Sequence, residues 1–208
     1  MATSAQLRKQ ILQGSWDAAL AALYGADPAV LQRQRGRYAA ALEQFELYFG
    51  PGRQVQVYSA PGRAELGGNH TDHQHGEVLA ASINLDAIAI TAPVDEPVVR
   101  VVSDGYDMIT VSLDDLAVKD ELKGTTDSLI RGVLEGIQKH GGKIGGFRAY
   151  ITSDVLIGAG LSSSAAFETI IGTIISGIYN DMKLSPVDIA IIGQYAENVH
   201  FGKPSGLM

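Results

Sequence analysis

The sequence predicts a fold that contains both helices and strands, and three observations support this prediction. Apolar residues within residues 4–49 recur at helical spacing, from Leu7 to Phe49. Short β-branched or alternating runs follow, and such runs are typical of strands. Further helical runs then surround a stretch rich in glycine and serine, residues 153–168.

The individual elements can be predicted in chain order. The first helical stretch ends at Gly50-Pro51-Gly52, and Pro28 suits the first position of its third helix. Strands are predicted over residues 54–59, 78–92, 98–102, 108–113 and 147–151. Helices are predicted over residues 126–140, from the serines at 162–164 to about residue 179, and from Ser185-Pro186 onward, with an apolar stripe of Ile192, Tyr195, Ala196 and Val199. Periodicity alone does not fix the order of the strands in a sheet.

Composition excludes several classes of function. A chain of 208 residues with 46% hydrophobic and 19% charged residues suits one generous globular domain. A net charge of −7 argues against a nucleic-acid partner. The absence of cysteine excludes disulfides and thiolate metal sites. No stretch resembles a signal peptide or a membrane span, so we expect a cytoplasmic protein without a membrane partner.

The stretch at residues 153–168 is the most informative part of the chain. Gly158 and Gly160 lie between a strand-like run and a helical run, and three serines at 162–164 begin the helix. Glycine lets a backbone approach a ligand closely, and the first N–H groups of a helix attract anions. The stretch therefore predicts a phosphate-binding loop. The alternative is a loop that caps a buried helix with a serine and binds nothing.

Two commoner phosphate motifs are excluded by the residues themselves. A P-loop requires Gly-Lys-Ser/Thr before its helix, and no lysine lies between Gly145 and Lys183. A dinucleotide-binding fingerprint requires a third glycine where Ser163 stands. The string Ile-Gly-Ala-Gly-Leu-Ser-Ser-Ser-Ala-Ala at residues 157–166 instead resembles the central ATP-binding motif of the GHMP small-molecule kinases.

A second segment, residues 60–76, is dense in polar groups between apolar runs. Acceptors such as Asp and donors such as Arg and His suit the recognition of a polyol. The segment resembles the galactokinase signature, roughly Gly-Arg-Val-Asn-Leu-Ile-Gly-Glu-His-Thr-Asp-Tyr, and matches it at Gly62, Arg63, Leu66, Gly68, His70, Thr71 and Asp72. It departs from the signature at Glu65, Gly67, Asn69 and His73. Asn69 stands where that family carries a sugar-facing carboxylate.

A metal cluster of His70, Asp72, His73 and His75 is the rival interpretation of this segment. All four side chains are acceptable metal ligands. Alternation in an extended run, however, directs His70 and Asp72 away from the other two. We therefore expect structural or sugar-contacting histidines rather than a metal site.

The end of the chain carries a third resemblance. Ala196-Glu197 and the run from Phe201 to Met208 resemble the family's Ala-Glu…Phe-x-Gly-x-Pro-Cys-Gly-Ile-Met-Asp-Gln, with Ser205 in place of the cysteine. A solvated surface charge is the alternative interpretation of Glu197. The chain stops one residue before the Asp that the resemblance implies as catalytic base. We therefore expect the N-terminal part of a galactokinase, inactive by itself and separated from its C-terminal half.

The resemblance covers most of residues 28–208 and implies a fold. That fold is α+β, a mixed β-sheet backed by helices, the ribosomal-protein-like α/β sandwich of the GHMP kinase N-terminal domain. Residues 1–50 are expected to form a helical segment packed on the domain, and residues 51–208 are expected to form the domain itself.

The resemblance also implies an activity, the transfer of a phosphoryl group from MgATP to the C1 hydroxyl of galactose. It assigns Arg63 to catalysis and the sugar to Asn69, His70 and Asp72. It assigns the nucleotide to Gly158, Ala159, Gly160, Leu161, Ser162, Ser163 and Ser164, and Mg²⁺ to Ser164 and Glu197. The alternatives are a non-catalytic sensor of galactose and ATP, an interaction module, and a kinase for a related sugar such as N-acetylgalactosamine.

Overall fold

Three helices begin the chain, as the periodicity predicts. The computed structural model describes residues 2–69, 71–156 and 160–207. The two-residue strand β1 (Ala2–Thr3) comes first. Three helices follow it: α1 (Ser4–Leu12), α2 (Asp17–Tyr24) and α3 (Pro28–Phe49). Pro28 occupies the first turn of α3, and the Asp27 carboxylate accepts a hydrogen bond from the Ala29 amide over 2.8 Å. The predicted start of the third helix is therefore confirmed.

In the described part of the chain, five longer strands join β1 in the sheet, and each of the five lies where a strand is predicted. They are β2 (Gln54–Gly67), β3 (Leu79–Val94), β4 (Val98–Ser103), β5 (Ile109–Ser112) and β6 (Gly146–Ser153). The prediction is wrong about the end of β2, which continues to Gly67 rather than stopping at Ser59. Its pairing with β3 shifts register twice, between Pro61 and Arg63 and between Glu65 and Gly67. Such bulges bend a strand and re-aim its side chains.

Three helices follow in the second part of the chain. They are α4 (Thr126–Lys139), α5 (Ser163–Tyr179) and α6 (Pro186–Tyr195). A π-helical segment, Ala196–Phe201, continues directly from α6. The predicted apolar stripe along this last helix is wrong at its end, because Ala196 is buried whereas Val199 is 39% exposed. The wider turn of a π-helix rotates the side chains that follow it out of the α-helical stripe.

The strand order is β1-β2-β3-β6-β4-β5. The pair β4 and β6 is parallel, and the other pairs are antiparallel, so the sheet is mixed. This arrangement confirms the predicted α+β class. Among the described helices, none is long and apolar enough to cross a membrane.

Helices cover both faces of the sheet. On β3, Ile88 and Ile90 belong to a core shared with α1, α2 and α3, whereas Ala87 and Ala89 belong to a core shared with α4, α5 and α6. This is the alternation that a pleated strand imposes. The predicted backing of the sheet by helices is confirmed, and the division into two units at residue 50 stays a prediction.

Candidate functional site

The N-terminus of α5 lies where the predicted phosphate-binding loop ends. Gly160 has a φ of 74° and Ser162 a φ of 56°, so both adopt the left-handed conformation. That conformation is uncommon for a residue other than glycine and is frequent at functional sites. Within the described part of the chain, the Ser162 side chain makes no capping hydrogen bond to α5. The first N–H groups of α5 therefore lack the serine cap that the alternative interpretation requires.

Not all of the predicted loop can be placed. Gly158 and Ala159 lie outside the described residues, and so does His70 in the sugar segment. Leu161 is placed, and its carbonyl accepts a hydrogen bond from the Arg63 amide over 3.1 Å. Strand β2 therefore holds the end of the loop directly.

Gly62 explains how β2 comes so close to the loop. A Cβ atom at this position would lie 3.0 Å from Val155 Cγ2 and 3.2 Å from the Leu161 carbonyl oxygen. A side chain here would push Val155 and the Leu161 carbonyl away by a few tenths of an ångström, so glycine favours this close approach.

Ser164 and Glu197 meet across α5 and the π-helical segment. The Ser164 hydroxyl donates a hydrogen bond to Glu197 Oε1 over 2.8 Å. Glu197 is only 6% exposed, so its interpretation as a solvated surface charge is wrong. Lys203 Nζ lies 3.6 Å from the same carboxylate oxygen. Hydroxyl and carboxylate oxygens are the ligands that a hard cation such as Mg²⁺ prefers, so this donor set fits Mg²⁺.

A buried network fixes the π-helical segment that carries Glu197. His200 is 1% exposed, and its Nε2 lies 2.8 Å from Glu135 Oε2 on α4. The Tyr195 hydroxyl donates to the same oxygen. Burial opposes the charged form of Glu135, but the hydrogen bonds from Tyr195, His200 and Lys139 outweigh it and lower its pKa to about 2. A charged anchor on α4 therefore holds the segment in place.

Glu168 on α5 is a buried acid to which the sequence analysis assigns no role. It is 4% exposed, and its Oε1 has no hydrogen-bond partner within the described part of the chain. Burial first, and then the negative charge of Glu197, raise the pKa of Glu168 to about 9. Its spacing from Ser164 by one helical turn is the one sequence signal that places the two side chains on the same face.

A cavity of about 120 Å³ lies between β2, α5 and α6. Glu168, Glu197, Ser162 and Arg63 are among the residues that line it. The Arg63 Nε is buried and, like Glu168 Oε1, has no hydrogen-bond partner among the described residues. Buried polar groups are normally paired, so two residues with unpaired buried atoms beside the same small cavity make it the candidate ligand site.

The predicted sugar residues are only partly brought to this cavity. The Asp72 carboxylate packs directly against Gly206, where a Cβ atom would collide with it, and Gly206 lines the cavity. Asn69 is exposed in a left-handed turn with a φ of 54°, and it does not line the cavity. The structure therefore places Asp72 at the edge of the site and Asn69 farther out.

The extended conformation assumed for the histidine-rich run is wrong. Asp72–Gln74 form a 3-10 turn, and His75 follows with a φ of 63°. Alternation along a strand therefore does not decide where these side chains point. Among the described residues, no group of three or more His, Asp or Glu side chains is arranged to hold a metal ion.

A larger cavity of about 810 Å³ lies beside the same end of α5. Ser163 and Ser164 line it together with the aromatic side chains of Tyr106, Phe167 and Phe201. Ser162 faces the small cavity instead. The N-terminus of α5 therefore separates an aromatic cavity from a small polar one.

Two family models match the chain. The galactokinase galactose-binding signature matches residues 43–93, which include Arg63 and Asp72. The GHMP kinases N-terminal domain matches residues 128–208, which include the start of α5 and Glu197. Together the two models cover more than half of the chain.

Solved structures show the same fold. The galactokinase of Lactococcus lactis complexed with galactose is 27% identical, with a TM-score of 0.74 over 83% of this chain and 44% of that chain. The mevalonate kinase of Methanococcus jannaschii is 21% identical, with a TM-score of 0.61 over 74% of this chain and 50% of that chain. The phosphomevalonate kinase of Streptococcus pneumoniae in complex with phosphomevalonate and AMPPNP is 16% identical, with a TM-score of 0.50 over 68% of this chain and 42% of that chain. The chain spans half or less of the length of each.

Proposed function

This chain belongs to the GHMP kinase family, and from that premise we propose that it forms the nucleotide- and sugar-binding part of a kinase that transfers the γ-phosphoryl group of ATP to the C1 hydroxyl of galactose. The observation that carries this proposal is the pair of Ser164 and Glu197 at the N-terminus of α5. A helix start attracts phosphate, and the adjacent oxygens suit a hard cation.

The nucleotide is assigned to both sides of the α5 N-terminus. The adenine base enters the larger cavity, where Tyr106, Phe167 and Phe201 offer aromatic surface. The phosphates lie at the loop and the first turn of α5, beside Gly160 and Ser163. The presence of AMPPNP in the similar phosphomevalonate kinase supports ATP as the phosphoryl donor.

The sugar is assigned to the edge of the small cavity, beside Asp72. Asp72 accepts hydrogen bonds from the sugar hydroxyls, and charge-assisted bonds of this kind are the stronger ones. Asn69 and His70 contribute further contacts from the same segment. The galactose-binding signature over residues 43–93 and the galactose-bound galactokinase support galactose as the acceptor.

Catalysis in this scheme depends on positioned charge. The guanidinium of Arg63, which lines the small cavity, stabilises the charge of the phosphoryl group between donor and acceptor. Ser164 and Glu197 hold Mg²⁺. When bound, the cation neutralises phosphate charge. Lys203 lies close enough to steady the Glu197 carboxylate.

The catalytic base and the N-terminal helical segment both lie outside the site described above. No described residue is assigned as the base, because Asp72 holds the sugar and Glu197 holds the cation. We assign the base and the remaining wall of the cleft to sequence beyond this chain, since the chain spans 44% of the similar galactokinase. Residues 1–50 serve as a helical segment packed on the kinase domain.

An assay of ADP release by the full-length protein tests the proposal. With MgATP, galactose should stimulate ADP release, and Glu197→Gln should lower turnover by about a hundred-fold or more. The affinity for galactose should change little. Glu43→Gln is the matched control, because the Glu43 side chain is 64% exposed and pairs only at the surface with Arg8.

The other interpretations predict different results in the same assay. A sensor binds galactose and ATP but releases no ADP with any sugar. A kinase for a related sugar turns over faster with N-acetylgalactosamine than with galactose. An interaction module binds neither ligand. Full turnover by Glu197→Gln at ordinary Mg²⁺ concentrations would reject the assignment of the cation.

A further inference from the structure

Glu168 and Glu197 lie on two helical elements that run side by side. Ser164 on α5 bonds to Glu197 over 2.8 Å, and one turn farther along α5, Glu168 faces Gly193. A Cβ atom on Gly193 would lie 3.0 Å from Glu168 Oε2. Four residues advance a helix by about 6 Å. Glu168 therefore lies one helical turn from the Ser164–Glu197 pair, toward the C-terminus of α5. Side chains on a helix point toward its N-terminus, so the Glu168 carboxylate points toward Ser164.

The described residues give Glu168 no structural role. Its Oε1 is buried without a partner, and the residue opposite it is a glycine, which offers space rather than a hydrogen bond. The charges that act on it most are those of Glu197, of the same sign, and Lys203. The Lys203 side chain is 61% exposed and forms an ion pair with Glu197 at 3.6 Å instead. An unpaired buried acid costs stability, so an apolar residue would serve packing better.

We propose that Glu168 is a further oxygen ligand, bound directly or through one water, of the divalent cation assigned to Ser164 and Glu197. This inference rests on the proposed function. A cation at this position satisfies the unpaired oxygen and offsets the negative charges that Glu168 and Glu197 would place side by side as ligands. The cavity of about 120 Å³ that both acids line leaves room for the cation and some of its waters.

Binding of AMPPNP to the full-length protein, measured by calorimetry with and without saturating Mn²⁺, tests this ligand. The ratio of the AMPPNP affinity with Mn²⁺ to the affinity without it measures how much a protein-bound cation strengthens nucleotide binding. Glu168→Gln should reduce this ratio by about ten-fold, and Glu197→Gln should reduce it further. Glu43→Gln should leave it unchanged, which separates ligation from the loss of one negative charge anywhere on the protein.

Thermal unfolding of the metal-free protein provides a second readout. Glu168→Met should raise Tm by about 2–4 °C, because it removes an unpaired buried acid. Replacing a purely structural acid would lower stability and leave the Mn²⁺ enhancement unchanged, whereas replacing a ligand should raise the metal-free stability and reduce the enhancement. If both Glu168 variants lower Tm and weaken AMPPNP equally with and without Mn²⁺, the inference is overturned.

The results also separate this inference from the proposed function. If Glu168→Gln leaves the affinity ratio unchanged while Glu197→Gln reduces it to about one, Glu168 is not a ligand, and the cation site of Ser164 and Glu197 is still supported. If Mn²⁺ does not strengthen AMPPNP binding to the wild-type protein, both the cation site of Ser164 and Glu197 and the role of Glu168 are rejected.

Discussion

Asp86 and Glu168 are buried almost equally, at 3% and 4% exposed, but on opposite faces of the sheet they have opposite surroundings. Asp86 accepts hydrogen bonds from the hydroxyls of Tyr24 and Ser59. Arg37 Nη1 lies 2.6 Å from its Oδ1. Glu168 Oε1 has no partner in the described part of the chain. On one face of the sheet, Asp86 is therefore fully paired with other residues of the chain. On the other face, Glu168 has an oxygen without a partner among the described residues.

The network around Asp86 also reaches the end of the strand that leads to the predicted phosphate-binding loop. Arg37 Nη1 lies 3.2 Å from Asp154, the residue after β6, and the Asp154 amide donates to the Asp86 carbonyl over 2.9 Å. Helix α3 therefore anchors the end of β6 from which the chain leaves for α5. The comparison teaches that two equally buried acids can have opposite surroundings, so the burial of a carboxylate has to be considered together with its partners.

The largest effect is expected from opening the paired network. Asp86→Ala removes the carboxylate to which Tyr24 and Ser59 donate and leaves Arg37 with Asp154 as its acidic partner, so it should lower the free energy of unfolding by about 3–5 kcal/mol. Urea unfolding of the full-length protein at neutral pH measures this loss. A loss below about 1 kcal/mol would mean that the network contributes little to stability and would remove this side of the comparison.

A smaller effect is expected from titrating the unpaired acid. The pKa of Glu168 is raised from 4.5 to about 9, so between these values the folded protein binds one more proton than the unfolded chain. Stability therefore falls as pH rises, by up to about 1.4 kcal/mol per pH unit. Without metal, the free energy of unfolding should drop by about 2–3 kcal/mol more between pH 6 and pH 8 in the wild-type protein than in Glu168→Met.

Urea titrations at both pH values, on both proteins, provide the four free energies. Titrating groups elsewhere cancel in the comparison because both proteins contain them. Parallel pH profiles would show that Glu168 is already ionised in the folded state, and the contrast with Asp86 would then lose its electrostatic basis.

Elements and motifs were predictable because their signals are local. Hydrophobic periodicity placed the strands and helices, and the family resemblance implied that Ser164 and Glu197 share one cation; the structure brings the two side chains within 2.8 Å of each other. The family resemblance was carried by these same motifs. The roles assigned to Arg63 and Asp72 stay predictions.

What the sequence analysis missed depends on distant contacts or on changes in backbone geometry. The extension of β2 beyond Ser59 results from bulges in its pairing with β3, and bulges have no strong local signature. The π-helical turn that re-aims the residues after Ala196 has none either. Whether Glu168 or Asp86 has partners depends on residues far away in the chain, such as Tyr24, 62 positions from Asp86.

The smallest effects are expected at two helical glycines, one on each face of the sheet. On α4, a Cβ atom at Gly132 would lie 2.7 Å from Ala196, so Gly132→Ala should overpack the contact with the π-helical segment and cost about 1–3 kcal/mol. On α3, a Cβ atom at Gly36 would meet nothing within 4 Å. Gly36→Ala should therefore stabilise the protein by about 0.4–1 kcal/mol, since alanine favours the helix and restricts the unfolded chain. Urea midpoints at constant m-value measure both changes. If Gly132→Ala also raised the free energy of unfolding, helix propensity would outweigh packing at this position. The contact of α4 with the segment that bears Glu197 would then be looser than the distances indicate.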